Sequence, residues 1–158
     1  MAGFDALYKQ TVTLFNRVTK PDGEILWYPR VLTGVHLITD HSASWNSYGG
    51  QQGDNVRLHV RYTQKPNGAA SVAGRTYVNR KEWKALKSFD SYITFGYGDN
   101  DDFDFFMEGK FSPLTAIKDS TYSRSGFYNY MNRNYENVFA ITSVSKYNLI
   151  PHFEIMAR

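Results

Sequence analysis

The sequence predicts an all-β fold, a small β-barrel or sandwich of about seven short strands with long loops and one or two short helices. Three observations carry that prediction. Runs of β-branched and aromatic residues alternate with polar ones at strand spacing. Turn signals such as Pro21-Asp22-Gly23, Asn67-Gly68 and Ser112-Pro113 punctuate them. A convincing short helix occurs only over residues 79–87. The 158 residues suit one domain spanning residues 1–158. Its barrel core covers residues 10–155, and residues 39–54 and 110–136 form long loops or insertions.

The elements follow in order. Val12 and Leu14 alternate with Thr11 and Thr13, so residues 10–16 read as the first strand. Lys20-Pro21-Asp22-Gly23 is a turn, with Pro set for its second position and Gly able to take positive φ. Residues 24–38 are long for one strand and contain Pro29, which predicts a bend or an edge there. Gly34 marks a bulge or a close backbone approach. The polar, Gly-rich stretch 39–54, carrying Trp45 and Tyr48, reads as a finger. Val56, Leu58, Val60 and Tyr62 alternate with Arg57, His59 and Arg61, the clearest half-buried strand of the chain. Residues 64–75 read as a loop. Asn79 can cap a helix over 79–87, with Glu82 placed for a capping box. Residues 91–98 and 103–109 read as two strands around an acidic loop, and 110–136 as a loop with a short helix. Residues 138–145 and 149–157 form a closing hairpin.

Composition excludes whole classes of chemistry. The chain has no Cys, which removes disulfides, thiolate zinc sites, Cys nucleophiles and iron–sulfur clusters. It has no apolar run long enough to span a membrane, and its first residues do not resemble a signal peptide. Charge is modest. Residues 1–79 carry 8 basic and 5 acidic groups and residues 80–158 carry 10 of each, giving the net +3. Arg57 and Arg61 share a strand face with His59. The simple reading is a solvated face; the sharper one is a face towards DNA or an acidic partner.

No enzyme motif is present: no G-x-S-x-G, P-loop, G-x-G-x-x-G or H-E-x-x-H. The cluster Asp99, Asp101, Asp102, Asp104 and Glu108 fails the EF-hand pattern and reads as a solvated hairpin tip. The histidines, His36, His41, His59 and His152, show no metal-ligand spacing and read as structural or solvent-exposed. The expectation is therefore a non-enzyme without cofactor or metal.

Aromatic residues reach 16%, well above what one core of this size requires. Phe15, Trp27, Tyr62, Phe95 and Phe139 lie in strand patterns and are expected inside. The surplus lies in polar segments. Trp45, Tyr48, Tyr122, Arg124, Tyr128, Tyr130, Arg133 and Tyr135 are the candidate interface residues, because Tyr and Arg are enriched at protein contacts. Core packing and stacking on single-stranded nucleic acid are the other readings of these rings.

The order of features resembles a known family. Thr11-Val12-Thr13-Leu14-Phe15-Asn16 leads to a turn, then to Trp27-Tyr28 and Val31-Leu32-Thr33-Gly34-Val35. Ile93-Thr94-Phe95, Asp99 to Asp102 and Phe105-Phe106-Met107-Glu108-Gly109 follow, then Ile141-Thr142-Ser143-Val144 and His152-Phe153-Glu154-Ile155. This is similar to the neck proteins of tailed bacteriophages, called head–tail connector, head-completion, stopper or minor capsid proteins. The resemblance implies a small β-barrel in a virion assembled in the host cytoplasm. It implies a homo-oligomeric ring, of about six or twelve copies, between the portal or its adaptor and the tail. Such a ring closes the DNA channel and docks the tail tube or tail terminator, with contact to packaged DNA left open. A tail-completion or tail-terminator protein is the nearest alternative, and a carbohydrate- or nucleic-acid-binding β-module the more distant one.

Overall fold

The computed structural model describes residues 7–39, 56–98, 102–122 and 124–158. Strand β1 (Gln10–Thr19) turns through Lys20–Gly23 into β2 (Ile25–Thr39). The turn is closed by Gly23 N–H donating to Lys20 O at 2.9 Å, with Gly23 at φ 91°. Next come β3 (Val56–Arg61), β8 (Phe105–Glu108), β10 (Val138–Tyr147) and β11 (His152–Ala157). These six strands form a closed antiparallel barrel in the order β1-β8-β10-β11-β3-β2, with β2 returning to β1. A seventh strand, β9 (Ile117–Lys118), adds to the free side of β2 at Leu26 and Trp27. Closure removes the open edges that a small sheet would otherwise present.

The barrel closes around residues whose alternation marked them for it. Leu14, Leu32, Leu58, Phe106, Phe153 and Ile155 are fully buried in one cluster with Tyr62, Phe95 and Phe139. The long β2 serves two partners. Its first part pairs with β1, and residues 36–39 pair with β3. Pro29 faces Phe15 of β1 and lies between the β9 and β3 ladders, where its missing N–H interrupts neither. Gly34 is the extra residue of a bulge: the register steps from Gln10–Val35 to Thr11–Thr33, and Gly34 sits at φ 64°.

Two expectations are corrected. Residues 64–75, expected as a loop, instead fall in two tight hairpins built by β4 (Thr63–Gln64), β5 (Ala70–Val72) and β6 (Arg75–Tyr77), extended by β7 (Tyr92–Ile93) in parallel. The turns are Asn67-Gly68 and Ala73-Gly74, and the strands are too short to show a period. The second concerns residues 91–109. β7 and β8 are not a hairpin, because β8 pairs with β1 and β10 while β7 joins the small sheet. Helix α1 (Arg80–Lys84) has the expected capping box, with Glu82 N–H donating to Asn79 Oδ1 at 2.8 Å and Asn79 N–H to Glu82 Oε1 at 3.3 Å. Helix α2 (Gly126–Asn134) lies within 110–136 and buries Phe127 and Met131 against Phe15, Trp27 and Phe105. That cover explains why Val12 to Asn16 are buried without alternation: β1 faces the barrel interior on one side and α2 on the other.

Candidate functional site

Three features of the surface and interior hold polar or reactive groups together. The first is an ionic cluster between the barrel and α1. Asp104, fully buried immediately before β8, is met by four donors. Its Oδ1 accepts from Arg17 N–H at 2.8 Å and from Arg80 Nη1 at 3.1 Å. Its Oδ2 accepts from Asn16 Nδ2 at 2.9 Å and from Gly96 N–H at 2.7 Å. Full burial pushes its carboxyl above the ordinary carboxylate value, against the smaller opposing pull of Arg80 and the surrounding N–H donors. Arg80 reaches with its other arm to Asp102 Oδ1 at 2.6 Å, which also takes Arg17 Nη1 at 3.2 Å, and Lys84 Nζ sits 2.7 Å from Asp102 Oδ2. Burial raises the Asp102 carboxyl, but the hydrogen bonds and charges of Lys84 and Arg80 outweigh it and hold it at about 2. The expected solvated acidic tip is thus corrected at Asp104, which lies inside. Asp99 and Asp101 lie outside the described residues.

Beside this cluster a cavity of about 770 Å³ opens between α1 and the end of the β1–β2 hairpin. Val18, Leu26, Trp83 and Phe89 form its apolar walls, and Arg17, Arg80, Lys84 and Asp102 its polar rim. Arg17, Arg80 and Lys84 face Asp102, while Lys20 and Lys87 also line the cavity, so its rim carries more positive than negative charge.

The second feature is a row of imidazoles on the outer barrel wall. His36 of β2 lies opposite His59 of β3, and Glu154 of β11 lies opposite His59 on its other side. His152 stands two residues from Glu154 on the same face. Ring centroids are 5.7 Å apart for His36–His59 and 5.7 Å for His59–His152. Burial lowers the pKa of His59, favouring the neutral ring. The reading of these histidines as structural or solvent-exposed came from their sequence spacing. Strand pairing, which sequence spacing does not show, brings three of them together; His41 lies outside the described residues.

The third feature is the aromatic segment. Tyr122, Tyr128 and Tyr130 are half-buried against the cluster around α2: Tyr122 stands 4.8 Å from Phe127, Tyr130 4.7 Å from Tyr122, and Tyr128 4.9 Å from Phe105. Arg124, Arg133 and Tyr135 are exposed, Arg133 donating to Ser125 Oγ at 2.9 Å. Asp119 anchors this segment, accepting from Phe127 N–H at 2.9 Å and from the Trp27 indole at 2.8 Å. Arg57 and Arg61 point outwards as expected, with the Arg61 guanidinium 4.3 Å over the ring of Tyr8. Trp45 and Tyr48 lie outside the described residues.

Sequence reasoning missed the most exposed apolar group among the described residues. The β10–β11 hairpin presents Tyr147, Leu149 and Ile150 at 46%, 97% and 52% exposure. The signal was available: Leu149-Ile150 is an apolar pair inside the turn of a hairpin, where polar residues are the rule.

A closed antiparallel barrel with an internal ionic cluster, one covering helix and an apolar hairpin tip defines a small all-β barrel protein. The chain belongs to the family of unknown function DUF6751, whose model matches residues 7–158. No curated protein and no solved structure matches it. Among the described residues no helix is long and apolar enough to cross a membrane.

Proposed function

We propose that the protein is a structural component of the tailed-phage neck. In this reading it forms a ring between the portal or adaptor and the tail, closes the DNA channel and docks the tail, with no catalytic role. The resemblance in strand order supports the reading, and the closed barrel agrees with the fold that resemblance implies. The observation that carries it is the hairpin tip. Leu149 makes almost no contact within its own chain, and Tyr147 and Ile150 extend the apolar surface. Burying such groups stabilises a contact by about 1.5–3 kcal/mol for each large side chain. A ring is built from one patch meeting a different patch on the next copy, and a projecting apolar tip is a suitable half of that contact.

The test is made in the particle. Virions encoded by the same genome are analysed by mass spectrometry, and the gene is replaced by the L149D/I150D variant. The expected result is the chain in wild-type virions and tailless or DNA-leaking heads from the variant, whose circular dichroism stays that of the wild type. Absence of the chain from virions, or normal tailed particles from the variant, would refute the reading.

A further inference from the structure

We infer that His59, His152 and Glu154 form a binding site for a first-row divalent metal ion, zinc being the reference case, on the outer wall of the barrel. The inference goes beyond the assembly role and does not depend on it.

Two adjacent strands build the site. His59 is contributed by β3, Glu154 stands directly opposite it on β11, and His152 is diagonal to it on β11. Directly opposed side chains on one sheet face have Cβ atoms about 4.5–5.5 Å apart, and diagonal neighbours remain within reach of long side chains. One ligand atom from each of the three residues lies within 4.8 Å of the other two. Tetrahedral zinc with bonds of about 2.0–2.1 Å needs ligand atoms about 3.3 Å apart. The remaining difference is covered by small rotations about the side-chain torsions of half-buried residues.

The protonation pattern suits ligation. His152 Nδ1 lies 2.7 Å from Ile150 O. A carbonyl only accepts, so this bond places the proton on Nδ1 and leaves Nε2 as the ligand atom. The same bond fixes the ring, as a backbone carbonyl does for many metal-bound imidazoles. Tyr147 adds a second restraint, stacked on His152 at 4.9 Å and 12°. Neither His59 nor Glu154 makes a side-chain hydrogen bond among the described residues. Two imidazoles and one carboxylate prefer zinc, cobalt, nickel or copper to calcium or magnesium, and they leave coordination positions open.

The surrounding charges set the strength. Arg57 and Arg61 flank His59 on β3, Tyr8 and His36 stand on the β2 side, and Ser145 lies opposite Glu154 on β10. The Arg61 guanidinium is held over the Tyr8 ring. Two nearby arginines oppose a cation, so micromolar affinity is expected rather than the much tighter binding of a structural zinc site.

The test is calorimetric titration of the metal-stripped full chain with zinc chloride near neutral pH, with cobalt absorption as a second signal. The expected result is one equivalent bound with a Kd of about 10 μM or tighter, and a rise in Tm with added zinc. H59A, H152A and E154Q each weaken binding by about tenfold or more while keeping the wild-type Tm in EDTA. No saturable binding by the wild type, or undiminished binding by the triple variant, overturns the proposal.

Discussion

Replacing Asp104 by Asn tests the ionic cluster most directly. The substitution keeps shape and volume and changes only charge and hydrogen-bond direction. All four neighbours of the carboxylate are donors: Arg17 N–H, Arg80 Nη1, Asn16 Nδ2 and Gly96 N–H, at 2.7–3.1 Å. Asn offers one accepting oxygen. Whichever way the amide is turned, its NH2 confronts two of the donors. Each buried donor left without a partner costs about 1–3 kcal/mol, and breaking a buried ion pair from one side costs about 3–5 kcal/mol. These overlap, because Arg80 belongs to both and keeps its bond to Asp102 at 2.6 Å. The expected loss is about 3–5 kcal/mol, a large share of the ~5–15 kcal/mol that stabilises a typical domain. Urea denaturation followed by tryptophan fluorescence measures it, because Trp83 donates its indole N–H to Arg17 O beside the cluster. A midpoint shift equivalent to less than about 1 kcal/mol, at unchanged m-value, would refute the argument that four converging donors require a carboxylate.

Two further variants of conditions and sequence follow from the same region. A Cβ added at Gly96 would stand 2.5 Å from Arg80 Nη1 and 2.8 Å from Asp104 Oδ2, so G96A should destabilise by about 2–3 kcal/mol in the same assay; an unchanged midpoint would show that the cluster yields freely. Asp102 is held at about 2, below its ordinary 3.8, so the ionised form is favoured by folding. That contribution is complete above the ordinary carboxylate pKa and is lost as pH falls from about 4 towards 2. Because Asp102 is partly exposed, screening reduces it to about 1 kcal/mol. D102N should flatten the acid limb of a stability–pH profile, and an unchanged limb would show that Asp102 does not contribute to it.

What could be read from the sequence was what neighbours along the chain decide. The Pro21-Asp22-Gly23 turn, the Gly34 bulge, the Asn79–Glu82 capping box and the closing hairpin each depend on a few adjacent residues. The strand of Val56, Leu58 and Val60 was legible because one of its faces is buried and the other is not. What was not legible depends on distant partners. Asp104 meets groups 88, 87, 24 and 8 residues away, so its local sequence looked like part of an acidic loop. A signal was nonetheless present in Phe103-Asp104-Phe105-Phe106, where an acid interrupts an aromatic run and must either leave the core or find partners inside it. The histidines were hidden in the same way, since His36, His59 and His152 become neighbours only once β2, β3 and β11 are in register.

The two polar clusters differ in a way that separates structural from ligand-binding roles. Around Asp104 every approach is taken by a protein donor, the carboxylate is fully enclosed, and Arg80 is divided between two aspartates. A group so surrounded has no coordination position left for a substrate or an ion, and its interactions can only hold α1, β1 and β8 together. The histidine row has the opposite character. Its members are half-exposed, they converge from paired strands, and the groups on which ligation depends carry no competing side-chain hydrogen bond among the described residues. Satisfied buried polar groups make a fold specific, while converging unsatisfied ones at a surface are available to a ligand. On the proposed metal site, an outside ion is taken on the outer barrel wall, while the cluster around Asp104 serves the stability of the barrel that carries it.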